Sequence, residues 1–284
     1  MIKVKTPVFY TTCLIFLVIL TIKELTTIKE ISLFAKWNAC IQDNIDFRNG
    51  SDEDILNYFS IATNKCKDVL ELNIIELNSS EFHVFPLTNI TETVHVTIGI
   101  SRDIGGELFI KKKSQNAHVF GTFPGIEAEA VNATMFEQLG KLFPVTIGAT
   151  SDMVSICVDS QTNVKDQSGE LCFKSVLQLE IIYFLKTVLK HNFFTSIWFN
   201  TIFEELPAML LLNGNFDRNQ IIFCLINIKI DKHQKTTAKQ LFINLINDKR
   251  YFVILDSFDA VFRFFLINFD DNRCRKELGL PQKL

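Results

Sequence analysis

The stretch "TVHVTIGISRDIGGELFIKKK", residues 93–113, decides the fold. Thr93 to Ile100 alternates in the manner of a half-buried strand, "SRDIGG" supplies turn residues, and "ELFIKKK" returns as a second mixed run. The pattern predicts a β-hairpin over 93–113. Lys111, Lys112 and Lys113 would then close an exposed strand, where like charges face water and protect an edge. "AHVFGTFPGIEA" (117–128) continues with a strand and a tight loop. In that loop Gly121 and Gly125 can take positive φ, while Pro124 fixes the turn.

Outward from there, "SDEDILNYFS" (51–60) has the Ser51 and Asp54 spacing of a capping box, and Thr134 with Glu137 shares it. "TMFEQLGKLF" (134–143) reads as a helix and "MVSICV" (153–158) as a strand. From Phe173 to Lys190, apolar residues recur at threes and fours, the strongest helical pattern in the chain. "TSIWFNTIFEELPAMLLLN" reads as helical up to Pro207. "QIIFCLINIKI" reads as a buried strand, "TAKQLFINLIND" as an amphipathic helix and "YFVIL" as a strand. Strands followed by helices predict an α/β domain of mixed α+β character.

At the amino end, Pro7 to Ile22 runs 16 residues without a charge, behind Lys3 and Lys5. As a helix it spans about 24 Å, just short of a thin early-secretory bilayer of roughly 27 Å. The leading positive charge predicts a single-pass type II anchor with the remaining chain lumenal; a cleaved signal peptide is the competing reading. Lumenal placement would open the sequons at Asn49, Asn78, Asn89 and Asn132 to glycosylation. It would also allow Cys40, Cys66, Cys157, Cys172, Cys224 and Cys274 up to three disulfides in fifteen connectivities, Cys157 with Cys172 being the easiest pair to close. A net charge of −3 with 21% charged and 48% hydrophobic residues excludes a disordered tail and a basic nucleic-acid binder.

Nucleotide-loop, serine-hydrolase and paired-Cys zinc signatures are absent. His95 and His118 are lone histidines within strands. Asp256 with Asp259, and Asp270 with Asp271, are the carboxylate pairs that could hold a divalent cation against a diphosphate. Each has a structural alternative, as a helix cap or as part of a charged tail.

His95, Arg102, Gly105, Phe120, Gly121, Phe123, Pro124 and Gly125, behind a type II topology, resemble the amino-terminal region of the fukutin-like family, in a nematode-like form. The resemblance covers about 35 residues well and extends loosely over 94–190. It implies a Golgi or endoplasmic reticulum membrane protein of O-mannosyl glycan synthesis, working beside other glycosyltransferases. Ribitol 5-phosphate would be transferred from CDP-ribitol with a divalent metal such as manganese or magnesium. In that family the metal-holding carboxylates follow a Gly-rich turn. Here no Gly occurs between Lys190 and Gly214, and no D-x-D follows.

The resulting division is a cytosolic tail and anchor (1–23), a stem (24–50), a family-like α/β domain (51–190) and a Phe-rich region (191–284). The last is divergent or the product of mis-splicing, and holds 13 of the 27 Phe residues. Two functions follow as expectations: a phospho-sugar transferase relative with an incomplete site, or a non-enzymatic anchored or secreted glycoprotein that binds a partner.

Overall fold

The computed structural model describes residues 34–45, 51–77, 81–84, 93–100, 103–124, 130–157, 173–258 and 260–280. Its first helices are α1 (34–44) and α2 (Asp52–Cys66). Ser51 caps α2 in the reciprocal box its spacing predicts: its hydroxyl accepts from Asp54 N, and Asp54 accepts from Ser51 N at 2.9 Å. Apolar residues three and four apart turn Leu56, Phe59 and Ala62 inward, and Phe59 stacks on Phe242 at 4.0 Å. A hairpin follows, β1 (Ile74–Leu77) paired antiparallel with β2 (Glu81–Val84).

The frame is built by β3 (Thr93–Ile98), α3 (Gly105–Lys113), β4 (Ala117–Thr122), α4 (Ala130–Glu137) and β5 (Lys141–Phe143). It continues through β9 (Phe193–Phe199), α6 (Leu206–Leu210), α7 (Asn215–Arg218), β10 (Ile222–Asp231), α8 (Lys235–Asp248), β11 (Tyr251–Phe258), β12 (Val261–Asn268) and α9 (Asn272–Glu277). Between the two halves lie β6 (Thr146–Gly148), β7 (Asp152–Cys157), β8 (Phe173–Glu180) and α5 (181–188), with the three strands forming a separate sheet in the order β6-β8-β7.

Seven strands make the main sheet in the order β5-β4-β3-β9-β10-β12-β11. Neighbours from β5 to β10 pair in parallel, and β12 runs antiparallel between β10 and β11. Numbered by chain position within this sheet, the order is 3-2-1-4-5-7-6. Its central strands are near-continuous apolar runs, as burial on both faces requires: Ile226 and Phe264 are wholly buried, and Phe194, Phe199, Phe252 and Phe265 fill the layers beside them. The Phe-rich stretch after residue 190 thus supplies four of the seven strands, and the boundary expected at 190/191 falls inside one continuous core.

The expected fold, an α/β domain behind a transmembrane helix, needs correction. Residues 7–22 lie outside the described ones, and among the described residues no helix is long and apolar enough to cross a membrane. What stands is an α/β protein organised on the seven-stranded sheet.

Three local readings change with it. "ELFIKKK" is the helix α3 and returns no strand, because β3 and β4 are parallel and need a crossover between them. Its three lysines lie in the last turn, where Lys111 donates to the carbonyl of Ala117 at 2.7 Å and cations suit the helix dipole. The helix expected over 134–143 ends at Glu137, since a side chain at Gly140 would run into the Val119 carbonyl as β5 docks. Thr134 lies within α4 and not at its start. The helix expected over 173–190 is strand β8 up to Glu180 and helical only beyond, and the segment read as helical before Pro207 begins with β9. Short apolar runs fit both periods, and pairing with β7 decided the first case.

Candidate functional site

In an open, mostly parallel sheet the crevice for ligands forms where the strand order reverses, outside the carboxyl ends of the strands. Here the order reverses between β3 and β9, whose connections run to opposite sides. The described floor of that crevice is Gly99 and Ile100 after β3, Thr122, Phe123 and Pro124 at the end of β4, and Asn200 and Thr201 after β9.

Gly99 has φ 77°, a left-handed conformation that side chains disfavour, and a Cβ there would meet Thr201 Oγ1 at 3.0 Å. Gly99 N donates to Thr122 Oγ1 at 3.1 Å. Ile100 N donates to the Thr122 carbonyl and Asn200 N to the Ile98 carbonyl, each at 3.0 Å, so both loops extend the sheet's pairing past its strands. Gly106, in the first turn of α3, lies against Trp198: a Cβ there would approach the indole to 2.5 Å. Gly121 has ordinary backbone and no positive φ, contrary to the sequence expectation. It is required because a Cβ would strike Ile100 and Phe136.

Beneath the crevice one face of the sheet carries a cluster of polar side chains. Strand alternation and register bring His95 and Thr97 of β3, Ser196 and Trp198 of β9, Asn227 and Lys229 of β10, and Arg263 of β12 onto this face. Ser196 Oγ lies 2.7 Å from His95 Nδ1, and His95 Nε2 lies 3.0 Å from Thr97 Oγ1. Thr97 in turn donates to Glu107 Oε1 at 2.9 Å. Since the Thr97 proton goes to Glu107, its oxygen accepts from His95 Nε2–H, and the Ser196 hydroxyl donates to Nδ1.

Ser196 and His95 have the hydroxyl-to-imidazole contact of a nucleophile pair, but both are fully buried. Burial drives His95 well below the ordinary imidazole range, with His83 adding to it, and drives His83 to about 4. Burial also pushes Glu107 up to about 7, with Glu81 and Asp103 adding to the effect against its own backbone N–H and Thr97. The buried Glu107 Oε2 and Trp198 Nε1 have no hydrogen-bond partner among the described residues.

The two carboxylate pairs expected to hold a metal lie apart from each other. Asp256 is in β11 and Asp259 lies outside the described residues, while Asp270 and Asp271 follow the neighbouring strand β12, at the end where β11 begins. Tyr251, at the start of β11, pairs with Asn268, so Asp256 is at least five residues, roughly 17 Å, from Asp270 along the strand. Asp271 caps α9, accepting from Arg273 N at 2.8 Å. Among the described residues no group of three or more His, Cys, Asp or Glu could hold a metal ion. A D-x-D spacing not singled out above, Asp52 to Asp54, opens α2; Asp54 closes the capping box, and Asp52 holds Lys239 at 2.9 Å and Thr236 at 2.8 Å.

Asp270 and Asp271 instead line a cleft of about 500 Å³ at the amino edge, with Phe216, Phe223, Tyr251 and Arg273. Its Arg250 is consumed by the fold, donating to Asp248 and Asp217 and to the Leu210 carbonyl.

Of the family-motif residues, His95 joins the buried relay, Gly105 opens α3, Phe120 lies half-buried beside His191, and Phe123 donates from its backbone to the Phe143 carbonyl. Arg102 and Gly125 lie outside the described residues, as do Asn49, Asn78 and Asn89; Asn132 is in α4. Among the described residues two disulfides are present, Cys40–Cys66 and Cys224–Cys274. The pair expected from spacing falls outside this set: Cys157 ends β7 and Cys172 lies outside the described residues.

The strand order and glycine-bearing first crossover define a doubly wound α/β protein. No family model matches the chain, and no curated protein matches it. Among solved structures it is similar to the METTL16 methyltransferase domain, at 10% identity and a TM-score of 0.37, over 84% of this chain and 92% of that one.

Proposed function

We propose that the chain is a ligand-binding α/β protein of an oxidising compartment, that its ligand carries a nucleoside, and that the site is the crevice at the carboxyl ends of β3, β4 and β9. The observation that carries this reading is the switch point, with Gly99 at φ 77° directly after the first strand of the sheet. In dinucleotide-binding turns one glycine makes the tight turn and another lets helix and strand pack closely, the tasks of Gly99 and Gly106 here. An acid usually holds the ribose hydroxyls from the end of the second strand. That position is taken by Thr122, Phe123 and Pro124; Thr122 is buried with its hydroxyl accepting from Gly99 N, so ribose contact falls to backbone groups. The disulfides favour an oxidising compartment.

Phospho-sugar transfer of the fukutin-like kind asks for converging carboxylates, and the separation of Asp256 from Asp270 and Asp271 does not favour it. Titration calorimetry of the full chain with S-adenosylmethionine, NAD, ATP and, with manganese, CDP-ribitol tests the proposal. Binding of one of these that is lost in Gly99→Ala, with the wild-type circular dichroism kept, supports it. No binding by any of them, or binding indifferent to that substitution, removes it. CMP release in the last arm would favour phospho-sugar transfer instead.

A further inference from the structure

We propose that the β1–β2 hairpin is a strap that closes over the polar cluster of the main sheet while Glu107 carries its proton and loosens when that proton is lost. The strap belongs to neither larger sheet, and it is held to the main one by a few polar bonds together with the buried side chains of Phe82 and Val84. Asn227 of β10 acts as a pairing partner: its Nδ2 donates to the Phe82 carbonyl at 2.9 Å, and its Oδ1 accepts from Phe82 N at 3.1 Å. Arg263 of β12 donates to Glu81 Oε1 at 3.2 Å, and Phe82 packs on Phe265 with ring centres 5.8 Å apart. Leu77 joins Ile104, Ile110 and Trp198 in a second apolar cluster.

The other oxygen of Glu81, Oε2, lies 3.8 Å from where a Cβ on Gly106 would sit, one residue before Glu107. Two carboxyl groups from separate elements, Glu107 buried and Glu81 half-buried, therefore lie against the first turn of α3. Arg263 is bonded to Glu81, with Lys229 further off, whereas Glu107 has the Thr97 hydroxyl, its own backbone N–H and an oxygen without a partner. Thr97 from β3, Glu81 from β2 and Asp103 from the preceding turn act on it directly; behind them, Arg263 of β12 and Lys229 of β10 act on Glu81, while His95 bonds Thr97 and Ser196 and feels His83 of β2. Burial keeps both imidazoles neutral near pH 7, so neither can answer a new negative charge. Burial also places the loss of the Glu107 proton near neutral pH. An uncompensated charge in that position is relieved by letting water in. Of the strands around it, only those of the strap can lift without breaking the seven-stranded sheet.

Amide hydrogen exchange of the full chain from pH 5.5 to 8.5, corrected for intrinsic rates, tests the strap. Exchange of Ile74–Leu77 and Glu81–Val84 should accelerate by up to about tenfold per pH unit as pH rises toward 7 and level off above it, while β9 and β10 stay protected, since the open population follows the ionised fraction. Glu107→Gln should keep the strap protected throughout. Thr97→Val, which removes a hydrogen bond favouring the charged form, should move the acceleration to higher pH. Strap protection independent of pH, acceleration shared equally by β9 and β10, or a wild-type profile in both variants would overturn the proposal.

Discussion

Burial holds Glu107 protonated to about pH 7 in the folded chain, against about 4.5 when exposed, so the stability it contributes is complete below pH 4.5 and lost as pH rises through 7. The shift corresponds to roughly 3 kcal/mol. His83 shifts the other way, from 6.5 to about 4: its contribution is present above pH 6.5 and lost as pH falls through 4, and His95 follows the same direction. In the window they share, two imidazoles outweigh one carboxyl. Urea unfolding should therefore give a stability maximum at about pH 6.5, with a fall toward pH 7 that Glu107→Gln removes. A flat profile between pH 5 and 8 would contradict the burial of these groups. None of this was legible in the sequence beyond His95 as a lone histidine in a strand. Glu107 was assigned to a strand, and its importance arises from Thr97 and Glu81, which reach it from other elements. Ser51 and Asp54 were legible because a capping box is complete within four residues.

At the level of elements, the Cys224–Cys274 bridge ties β10 to α9, the last helix of the frame, across 50 residues. Closing a loop of that length stabilises by roughly 4 kcal/mol through the unfolded chain. The paired substitution Cys224→Ala with Cys274→Ala should lower unfolding stability by about 2–4 kcal/mol, read by urea denaturation, and free α9 before the sheet opens. Stability equal to wild type would show that the bridge does not form. Elements β10, α8 and β11 were readable from pattern alone because each is long and holds one period. The segments 93–113 and 173–190 were misread because each changes period midway, and what fixes the change is a distant partner: β4 in parallel register for the first, β7 for the second. Pairing partners across the sheet leave no mark in a local window, so the crevice, which depends on strand order, was equally hidden.

For the whole molecule, the sheet joins what composition divided. The Phe-rich stretch looked foreign because its residues crowd every segment, yet that crowding is what strands covered on both faces require. A chain ending at Lys190 should not fold: β3 would keep an open edge, and Val94, Val96 and Ile98 would lose the β9 and β10 layers they pack beside. Circular dichroism with a cooperative melt of residues 1–190 would contradict this. The same strand order sets a timetable at the ribosome. His95 and Ser196, neighbours in the finished sheet, are separated by 101 residues. At about 5–20 residues per second, β3 waits roughly 5–20 seconds for its central neighbour to be synthesised. Throughout that interval the nascent chain carries a buried-type strand with one open edge, and the cell's chaperones, rather than the fold, must keep it from meeting another copy.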